Sequence, residues 1–554
     1  MEKTYILGNS ETVKQLGYNF IEIPNLTNDY DIHNWLLLVF QNNNIEKLLI
    51  EIGDNKKLPF EIGLHIRLSL EELREKCFIP LYFVSVSSLK NVMIEAKIWC
   101  HLLLTKGVYF SSFDNLDKIQ LELSVIEGIS SDRYKTDFLD MVKILPDETI
   151  GRHSLANSWG TYSMDRAAKT NALPANVDFK KRLYFKYISA FNKIKLFPIK
   201  TVGYLNLGEE NIINSKGKRI LLIDDEADKG WETVLRKVFR TPDNFIVINE
   251  KVKDYDRFSL ESKNLIETTP FDLYLIDLRL NGTEEENTLR PNDFSGMKVL
   301  QKIKSLNQGY QVIIFTASNK VWNLKALLDA GADGYYMKES PEFGFSGEFS
   351  EQNYLRFQED VKSCFKKDFL KDLYISYQEI IKKIDNLIFP DDFKSELKNQ
   401  FQLFWDIIVA AKTKNQFANA YVTLYSVIEL INNHFITKPD DGKWEISNTG
   451  KLLNWEWDKE QKKYSNANIE VTGNNPPEWQ KFAGLYFQKW DQTDSDFVSK
   501  VYRLIQKRNG FVHSDKNILD KKHEQTEQYL NRDIYTKAGI NKLHDAVKQI
   551  ISFL

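Results

Sequence analysis

Five polar side chains stand at or near the ends of apolar runs in the middle of this 554-residue chain. "RILLIDDEAD" contains Asp224 and Asp225, "FDLYLIDLRL" contains Asp277, "QVIIFTAS" contains Thr316, and "ADGYYMKES" contains Lys338. Because the carboxyl ends of parallel strands share one edge of a sheet, we expect these side chains to converge. Clustered carboxylates repel one another unless a hard cation lies between them, and such oxygen ligands suit Mg2+. A lysine and a hydroxyl beside the cation suit an incoming phosphoryl group.

The region that carries these positions in this order, residues 216–345, resembles a response-regulator receiver domain. The resemblance implies a doubly wound, five-stranded parallel sheet in which Asp224, Asp225 and Asp277 hold Mg2+. It also implies that Asp277 accepts a phosphoryl group from a partner histidine kinase or phosphotransfer protein. We assign the domain to residues 213–350.

Three further positions match the part of the receiver family that responds to phosphorylation. The resemblance implies that Thr316 is the switch hydroxyl and that Lys338 is the charge partner of the phosphoryl group. Tyr335, three residues before the lysine, matches the family's switch aromatic. The sequence departs from the family at Glu339, where receivers usually have proline, and in a long acidic segment after Asp277.

The first 118 residues have the same outline without the chemistry. "KLLIEIGD" and "IPLYFVSV" read as strands of a second parallel sheet. The first strand ends in Gly8 and Asn9 instead of acids, Glu51 falls where the acceptor would be, and Ser111 falls where the lysine would be. We therefore predict a degenerate receiver-like domain over residues 1–118, which would serve docking or dimerisation.

A helical linker region is predicted over residues 119–212 and contains "GRHSLANSWG". His153 and Asn157 are four residues apart, which places them on one face of a helix. Phosphoaccepting histidines of sensor kinases show a similar spacing, so phosphotransfer by His153 is one interpretation. A packed or capping histidine is the favoured one, because the acid that usually follows the phosphoaccepting histidine is replaced by Ser154.

The chain is helical in pattern from residue 355 to residue 554, with a polar, Trp-rich insertion read as loops at about 438–480. Three segments place apolar residues on one helical face. These residues are Tyr421, Leu424, Tyr425, Ile428 and Ile431, then Phe497, Val501, Leu504 and Ile505, then Ile540, Leu543, Val547 and Ile550. The stripes predict the core of an antiparallel helical bundle.

The stretch "LIQKRNGFVHSDKN" places an arginine and a histidine close together in that bundle. Arg508 can bind a phosphate in a fork, and His513 titrates near neutrality and can move a proton. Gly510 weakens a helix, so a bend is predicted between them. Cleavage of RNA needs little more, because the 2′-hydroxyl is the nucleophile. The alternative is a helix end at which Arg508 is solvated and His513 caps.

This motif resembles that of the HEPN family, many members of which are metal-independent endoribonucleases that act as dimers. The resemblance covers about residues 366–554 of a helical domain that we assign to residues 355–554, and it implies that Arg508 and His513 are catalytic and that Asn509 assists. It also places a polar residue near the site, for which Glu429 is the candidate.

Composition limits the classes of protein to consider. A net charge of −3 argues against a duplex-binding protein coated in basic residues. Three scattered cysteines exclude a disulfide scaffold. The N-terminus lacks the pattern of a signal peptide, and no apolar run is long enough to span a bilayer. We expect a multidomain cytoplasmic protein with no membrane partner.

The sequence predicts an α/β pair of receiver-like domains, the first degenerate and the second intact, followed by an all-α bundle. The favoured function is a bacterial signalling effector in which phosphorylation of Asp277 controls a HEPN-type endoribonuclease in a homodimer that binds RNA. Family analogy alone extends this to antiphage defence or growth arrest. The alternative is a non-nucleolytic phosphorelay intermediate or phosphate sink, whose helical domain only dimerises or binds partners.

Overall fold

The computed structural model describes most of the chain. The described residues are 3–113, 116–146, 152–173, 181–191, 211–240, 245–281, 290–317, 321–340, 347–438, 443–447, 449, 451–458, 463–466, 475–512 and 537–554. They form two compact units. The first unit comprises Met1–Lys302 with Gln311–Cys364, and the second comprises Ile303–Tyr310 with Phe365–Leu554. Among the described residues, no helix is both long and apolar enough to cross a membrane.

The first unit begins with a five-stranded parallel sheet in the order β2-β1-β3-β4-β5. The strands are β1 (Thr4–Gly8), β2 (Asn19–Glu22), β3 (Lys47–Ile52), β4 (Leu81–Ser85) and β5 (Val108–Ser112). The helices among them are α1 (Glu11–Lys14), α2 (Asp29–Asn42), α3 (Leu58–Leu68), α4 (Leu70–Leu73), α5 (Leu89–Ala96) and α6 (Leu116–Val125). Strand β4 is buried along its whole length, as expected of a sheet covered on both faces.

A second parallel sheet in the same unit repeats this topology in the order β7-β6-β8-β9-β10. Its strands are β6 (Ile220–Ile223), β7 (Phe245–Ile248), β8 (Leu273–Asp277), β9 (Val312–Thr316) and β10 (Gly334–Met337). Strands β6, β8 and β9 are buried at every position, which explains their uninterrupted apolar sequence. The prediction of two receiver-like five-stranded parallel sheets is confirmed.

The helices of the second sheet are α9 (Trp231–Val238), α10 (Leu260–Thr268), α11 (Ser295–Leu306), α12 (Val321–Asp329) and α13 (Gly347–Lys366). Helix α13 packs on the sheet through Phe357, whose ring centroid lies 5.6 Å from that of Phe315 and 5.5 Å from that of Tyr336. The boundary between the two units follows Cys364, within α13.

Two further helices lie between the sheets in sequence, in the segment predicted as a helical linker. They are α7 (Arg152–Ala168) and α8 (Leu183–Phe191). Most of the side chains described in α7 are buried, including polar ones such as Thr161 and Asp165. Trp159 of α7 stacks on Phe185 of α8, with ring centroids 5.1 Å apart. Helix α7 is therefore enclosed by protein and is not a solvated connection.

The second unit is a helical bundle, as predicted. Its helices are α14 (Leu370–Asp385), α15 (Asp391–Ala410), α16 (Lys414–Phe435), α17 (Glu478–Gly484), α18 (Ser495–Val512) and α19 (Lys537–Ile551). The three predicted apolar stripes, on α16, α18 and α19, all lie in its core. The capping box of Thr413 and Gln416 fixes the start of α16.

Two local expectations for this unit are wrong. The insertion contains short antiparallel strands where the sequence predicted loops. The first group pairs β12 (Glu445–Ile446) with both β11 (Ile436–Thr437) and β13 (Lys451–Leu452), and the second pairs β14 (Trp455–Asp458) with β15 (Lys463–Asn466). Helix α18 also runs through Gly510 to Val512 without the predicted bend. Burial of Val501, Leu504 and Ile505 outweighs the helix-propensity penalty of one glycine, about 1 kcal/mol.

Candidate functional site

The carboxyl edge of the second sheet brings the predicted polar residues together. Asp224 follows β6, and Asp277 is the last residue of β8, where it pairs with Phe315 of β9. Thr316 ends β9 opposite Met337 of β10. The backbone N–H of the next residue, Lys338, donates a hydrogen bond to the carbonyl oxygen of Thr316 at 2.7 Å. Parallel register therefore places these side chains at one edge, and all of them are buried.

The three aspartates form a set of oxygen ligands. Asp224, Asp225 and Asp277 each offer a carboxylate oxygen, and these oxygens lie within 4.8 Å of one another. Three buried carboxylates at this spacing repel one another unless they share a cation or take up a proton. The donor set fits Mg2+, a hard cation that binds oxygen ligands such as carboxylates.

Lys338 lies between two of these carboxylates. Its Nζ atom is 2.9 Å from Asp224 Oδ2 and 2.9 Å from Asp277 Oδ2. Burial alone would lower the pKa of Lys338, but the two carboxylates outweigh burial and raise it, so the side chain carries its charge. Burial raises the pKa of Asp224 to about 6, with Asp277 adding to the shift and Lys338 opposing it.

Thr316 and Lys338 line a small cavity beside Asp277, together with Ala317. The cavity has a volume of about 10 Å3, roughly the room that one water molecule requires. Tyr335 is not among the residues described as lining it. The Tyr335 ring is half-buried, and the Arg356 guanidinium lies 4.0 Å from its centroid.

Asn157 of α7 is a residue of this site that sequence reasoning did not predict. Its side chain is completely buried and lines the cavity beside Asp277. Lys338 Nζ donates a hydrogen bond to Asn157 Oδ1 at 2.5 Å. The segment "RHSLAN" carries a signal, since it predicts that His153 and Asn157 share a helical face, but this pattern does not indicate what Asn157 contacts. The His153 backbone belongs to α7, and its side chain lies outside the described residues.

Glu339, where the receiver family usually has proline, is buried beside this site. Its carboxylate accepts a hydrogen bond from Ser350 Oγ at 2.5 Å and one from Asn353 Nδ2 at 3.4 Å. Burial raises the pKa of Glu339 to about 7, and hydrogen bonds from Ser350, Asn353 and Ser163 oppose the shift.

The equivalent edge of the first sheet lacks the acceptor chemistry. Glu51 of β3 pairs with Val84 of β4, as Asp277 pairs with Phe315 in the second sheet. The Glu51 carboxylate accepts hydrogen bonds from the backbone N–H groups of Asn9 and Ser10, at 2.7 and 3.0 Å. A Cβ atom at Gly8 would lie 2.5 Å from Glu51 Oε2. The Glu51 carboxylate is therefore bound by the loop that follows β1. In the second sheet, the corresponding position after β6 holds Asp224 and Asp225.

The expectation that Ser111 replaces the lysine is wrong by two residues. In the second sheet the lysine N–H bonds to the carbonyl of Thr316, and in the first sheet the N–H of Phe113 bonds to the carbonyl of Ser85, at 3.0 Å. Phe113 thus occupies the lysine position. Strand β5 extends through Ser112, beyond the apolar run that marked it in the sequence.

The predicted nuclease residues lie at the limit of the described structure. The backbones of Arg508 and Asn509 belong to α18, but their side chains lie outside the described residues, and so does all of His513. Glu429 is half-buried on α16. The catalytic assignment therefore stays a prediction.

Comparison with known proteins supports the receiver interpretation. Residues 1–111 match the family model described as the inactive receiver domain, which confirms the predicted degenerate domain. A curated relative, the nitrate/nitrite response regulator protein homolog of Haemophilus influenzae, is 26% identical over 122 residues, which are 22% of this chain and 50% of the relative. The chain thus spans about half the length of that relative.

A crystal structure described as a two-component system response regulator/GGDEF domain protein covers 66% of this chain and 99% of its own. Its identity is 10% and its TM-score is 0.18, which is too low to carry an argument. Together the family match and the curated relative support receiver-like domains of the response-regulator kind in this chain.

Proposed function

We propose that the second sheet is a working receiver domain in which Asp277 takes up a phosphoryl group in phosphorylation-dependent signalling. One observation carries this proposal: three carboxylates with oxygens within 4.8 Å of one another and a buried lysine share the carboxyl edge of one parallel sheet. The first domain lacks the corresponding residues, so it acts without phosphorylation.

Each residue of the site has a defined task in this reaction. A carboxylate oxygen of Asp277 attacks the phosphorus of a phosphohistidine on the partner, so that a P–O bond forms and the P–N bond breaks. The imidazole leaves with the electron pair and takes a proton. Asp224, Asp225 and Asp277 would hold Mg2+, which neutralises charge on the phosphoryl oxygens. Lys338 and Thr316 then donate hydrogen bonds to the acyl phosphate.

A small phosphodonor tests the proposal without knowledge of the kinase. The full-length protein is incubated with acetyl phosphate or phosphoramidate and Mg2+, and the acyl phosphate is trapped by borohydride reduction and located by mass spectrometry. We expect reduction at Asp277, loss of the signal in Asp277→Asn, and an unchanged signal in Glu51→Gln, the matched carboxylate of the first domain. Labelling that survives in Asp277→Asn would contradict the assignment.

We further propose that the output of the second unit is RNA cleavage by Arg508 and His513, in a homodimer that joins two motifs. The support is the Arg-x4-His spacing at the end of α18 in a helical bundle. RNA is incubated with the protein, with and without phosphodonor. We expect cleavage to be lost in Arg508→Ala and His513→Ala and kept in Arg503→Ala, an exposed arginine on the same helix. No cleavage under any condition would favour the alternative, a relay or phosphate sink.

A further inference from the structure

Asn157 of α7 is fixed beside Asp224, Asp277 and Lys338, which form the acid pocket, by three hydrogen bonds. Its Oδ1 atom accepts one from Lys338 Nζ at 2.5 Å and one from Trp231 Nε1 at 2.9 Å. Its Nδ2 atom donates one to Glu226 Oε2 at 2.7 Å. Both ends of the amide are therefore used, and the side chain belongs to a helix outside the sheet that carries the site.

The bond from Lys338 to Asn157 competes with phosphorylation. An ammonium group has three N–H donors. Lys338 Nζ donates hydrogen bonds to Asp224 Oδ2 at 2.9 Å and to Asn157 Oδ1 at 2.5 Å, and it forms an ion pair with Asp277 Oδ2 at 2.9 Å. A phosphoryl oxygen on Asp277 would compete with these three oxygens for the ammonium group. Asn157 is the neutral one of the three, and it is the one that belongs to another element of the fold.

The close approach of α7 also restricts the enclosed space beside Asp277. A Cβ atom at Gly160 would lie 3.0 Å from Trp231 Cζ2 and 3.4 Å from Lys338 Cα, so a glycine permits this contact. The remaining cavity, about 10 Å3, accommodates roughly one water molecule. A phosphoryl group adds a phosphorus atom and three oxygens, which need more room than this enclosed space beside Asn157 provides.

The inactive first domain supports α7 from the other side. Trp159 of α7 stacks on Phe185 of α8. The next residue of α8, Lys186, has its Nζ atom 2.7 Å from His33 Nδ1 and 2.7 Å from Ser69 Oγ of the first domain. A continuous chain of buried contacts thus runs from the first sheet's helices through α8 to the helix that closes the site.

From these contacts we propose that α7 is a cap on the phosphorylation site, held there by the inactive receiver, and that Asn157 must leave Lys338 before Asp277 is phosphorylated. The inference rests on the proposed function of Asp277. It predicts a slow intrinsic reaction with small phosphodonors, and it predicts that phosphorylation releases α7 from the receiver.

The test compares initial rates of Asp277 phosphorylation by acetyl phosphate in four full-length proteins. Asn157→Ala removes the competing oxygen, and Gly160→Leu pushes α7 away from Trp231 by a separate route. Ser158→Ala is the control, because Ser158 is half-buried on the same helix and is not described as part of the cavity lining. We expect both cap variants to react on the order of ten-fold to a hundred-fold faster, which is the value of one hydrogen bond to a charged group. We expect Ser158→Ala to react at the wild-type rate.

A second measurement on the wild-type protein guards against variants that fail to fold. Hydrogen exchange of peptides from residues 157–168 is measured before and after addition of Mg2+ and beryllofluoride, a phosphoryl mimic. We expect faster exchange with the mimic. Equal or slower rates in the cap variants, together with unchanged exchange, would overturn the cap and leave the proposed function standing. Absence of phospho-Asp277 in all four proteins would overturn the proposed function and the cap with it.

Discussion

Replacement of Lys338 by methionine is expected to destabilise the second sheet severely when no divalent cation is present. The Nζ atom of Lys338 is 2.9 Å from both Asp224 and Asp277, and these three side chains are at most 3% exposed. Removal of the Lys338 ammonium group leaves the three buried aspartates of the site, Asp224, Asp225 and Asp277, repelling one another. Loss of one partner of a buried ion pair costs about 3–5 kcal/mol, so amides of β8 and β9 should exchange roughly a hundred-fold to a thousand-fold faster.

Hydrogen exchange with mass spectrometry suits this chain better than a single melting temperature, because several domains do not unfold as one transition. The comparison is made in EDTA and in Mg2+, with Lys229→Met, an exposed lysine of the same domain, as the control. We expect Mg2+ to restore much of the lost protection, and Lys338→Met with Asp277→Asn to be more stable than Lys338→Met alone. Wild-type exchange of Lys338→Met in EDTA would refute the charge balance described for the pocket.

Three further predictions concern Glu51 of the first sheet and Glu339 and Gly296 beside the second. Glu51→Ala leaves the partly solvated N–H groups of Asn9 and Ser10 without their carboxylate and should destabilise the first domain by about 1–2 kcal/mol, whereas Glu51→Gln should retain most of the stability. Equal exchange of β1 in both variants would argue against this role. Burial raises the pKa of Glu339 to about 7, so the folded state binds more protons than the unfolded state between about pH 4.5 and 7. The second sheet should therefore lose about 3 kcal/mol of stability as the pH rises through that window. Glu339→Gln should flatten this pH dependence in urea unfolding, and an unchanged slope would count against the argument. A Cβ atom at Gly296 would lie 2.1 Å from the carbonyl oxygen of Asp277, so Gly296→Ala should destabilise β8 by about 1–3 kcal/mol and slow phosphorylation of Asp277. A wild-type phosphorylation rate would show that the backbone relaxes around the added methyl group.

The second receiver could be predicted largely from sequence because its signals are local. Each buried strand is an apolar run, and each functional group follows or ends one. Parallel register alone then brings Asp277 and Lys338 together. The same reasoning places Glu51 correctly in the first sheet, since Glu51 pairs with Val84 as Asp277 pairs with Phe315.

The missed features depend on information that local patterns do not carry. Phe113 carries no polar signal at the lysine position, and the nearby Ser111 is the polar residue that the pattern indicates. The strands of the insertion are two to four residues long, too short for a period of two to be recognised. Asn157 enters the pocket from a helix 181 residues before Lys338 in sequence, and helical spacing predicts the face of a residue but not the site it contacts.

A structure of the full-length protein with Mg2+ and beryllofluoride tests the central claim most directly. The account predicts Mg2+ bound by Asp224, Asp225 and Asp277, beryllofluoride on Asp277 in contact with Thr316 and Lys338, and Asn157 withdrawn from Lys338. A pocket without either ligand would contradict phosphorylation of Asp277, and beryllofluoride bound to Asp277 while Asn157 still accepts the hydrogen bond from Lys338 would contradict the role of α7 as its cap.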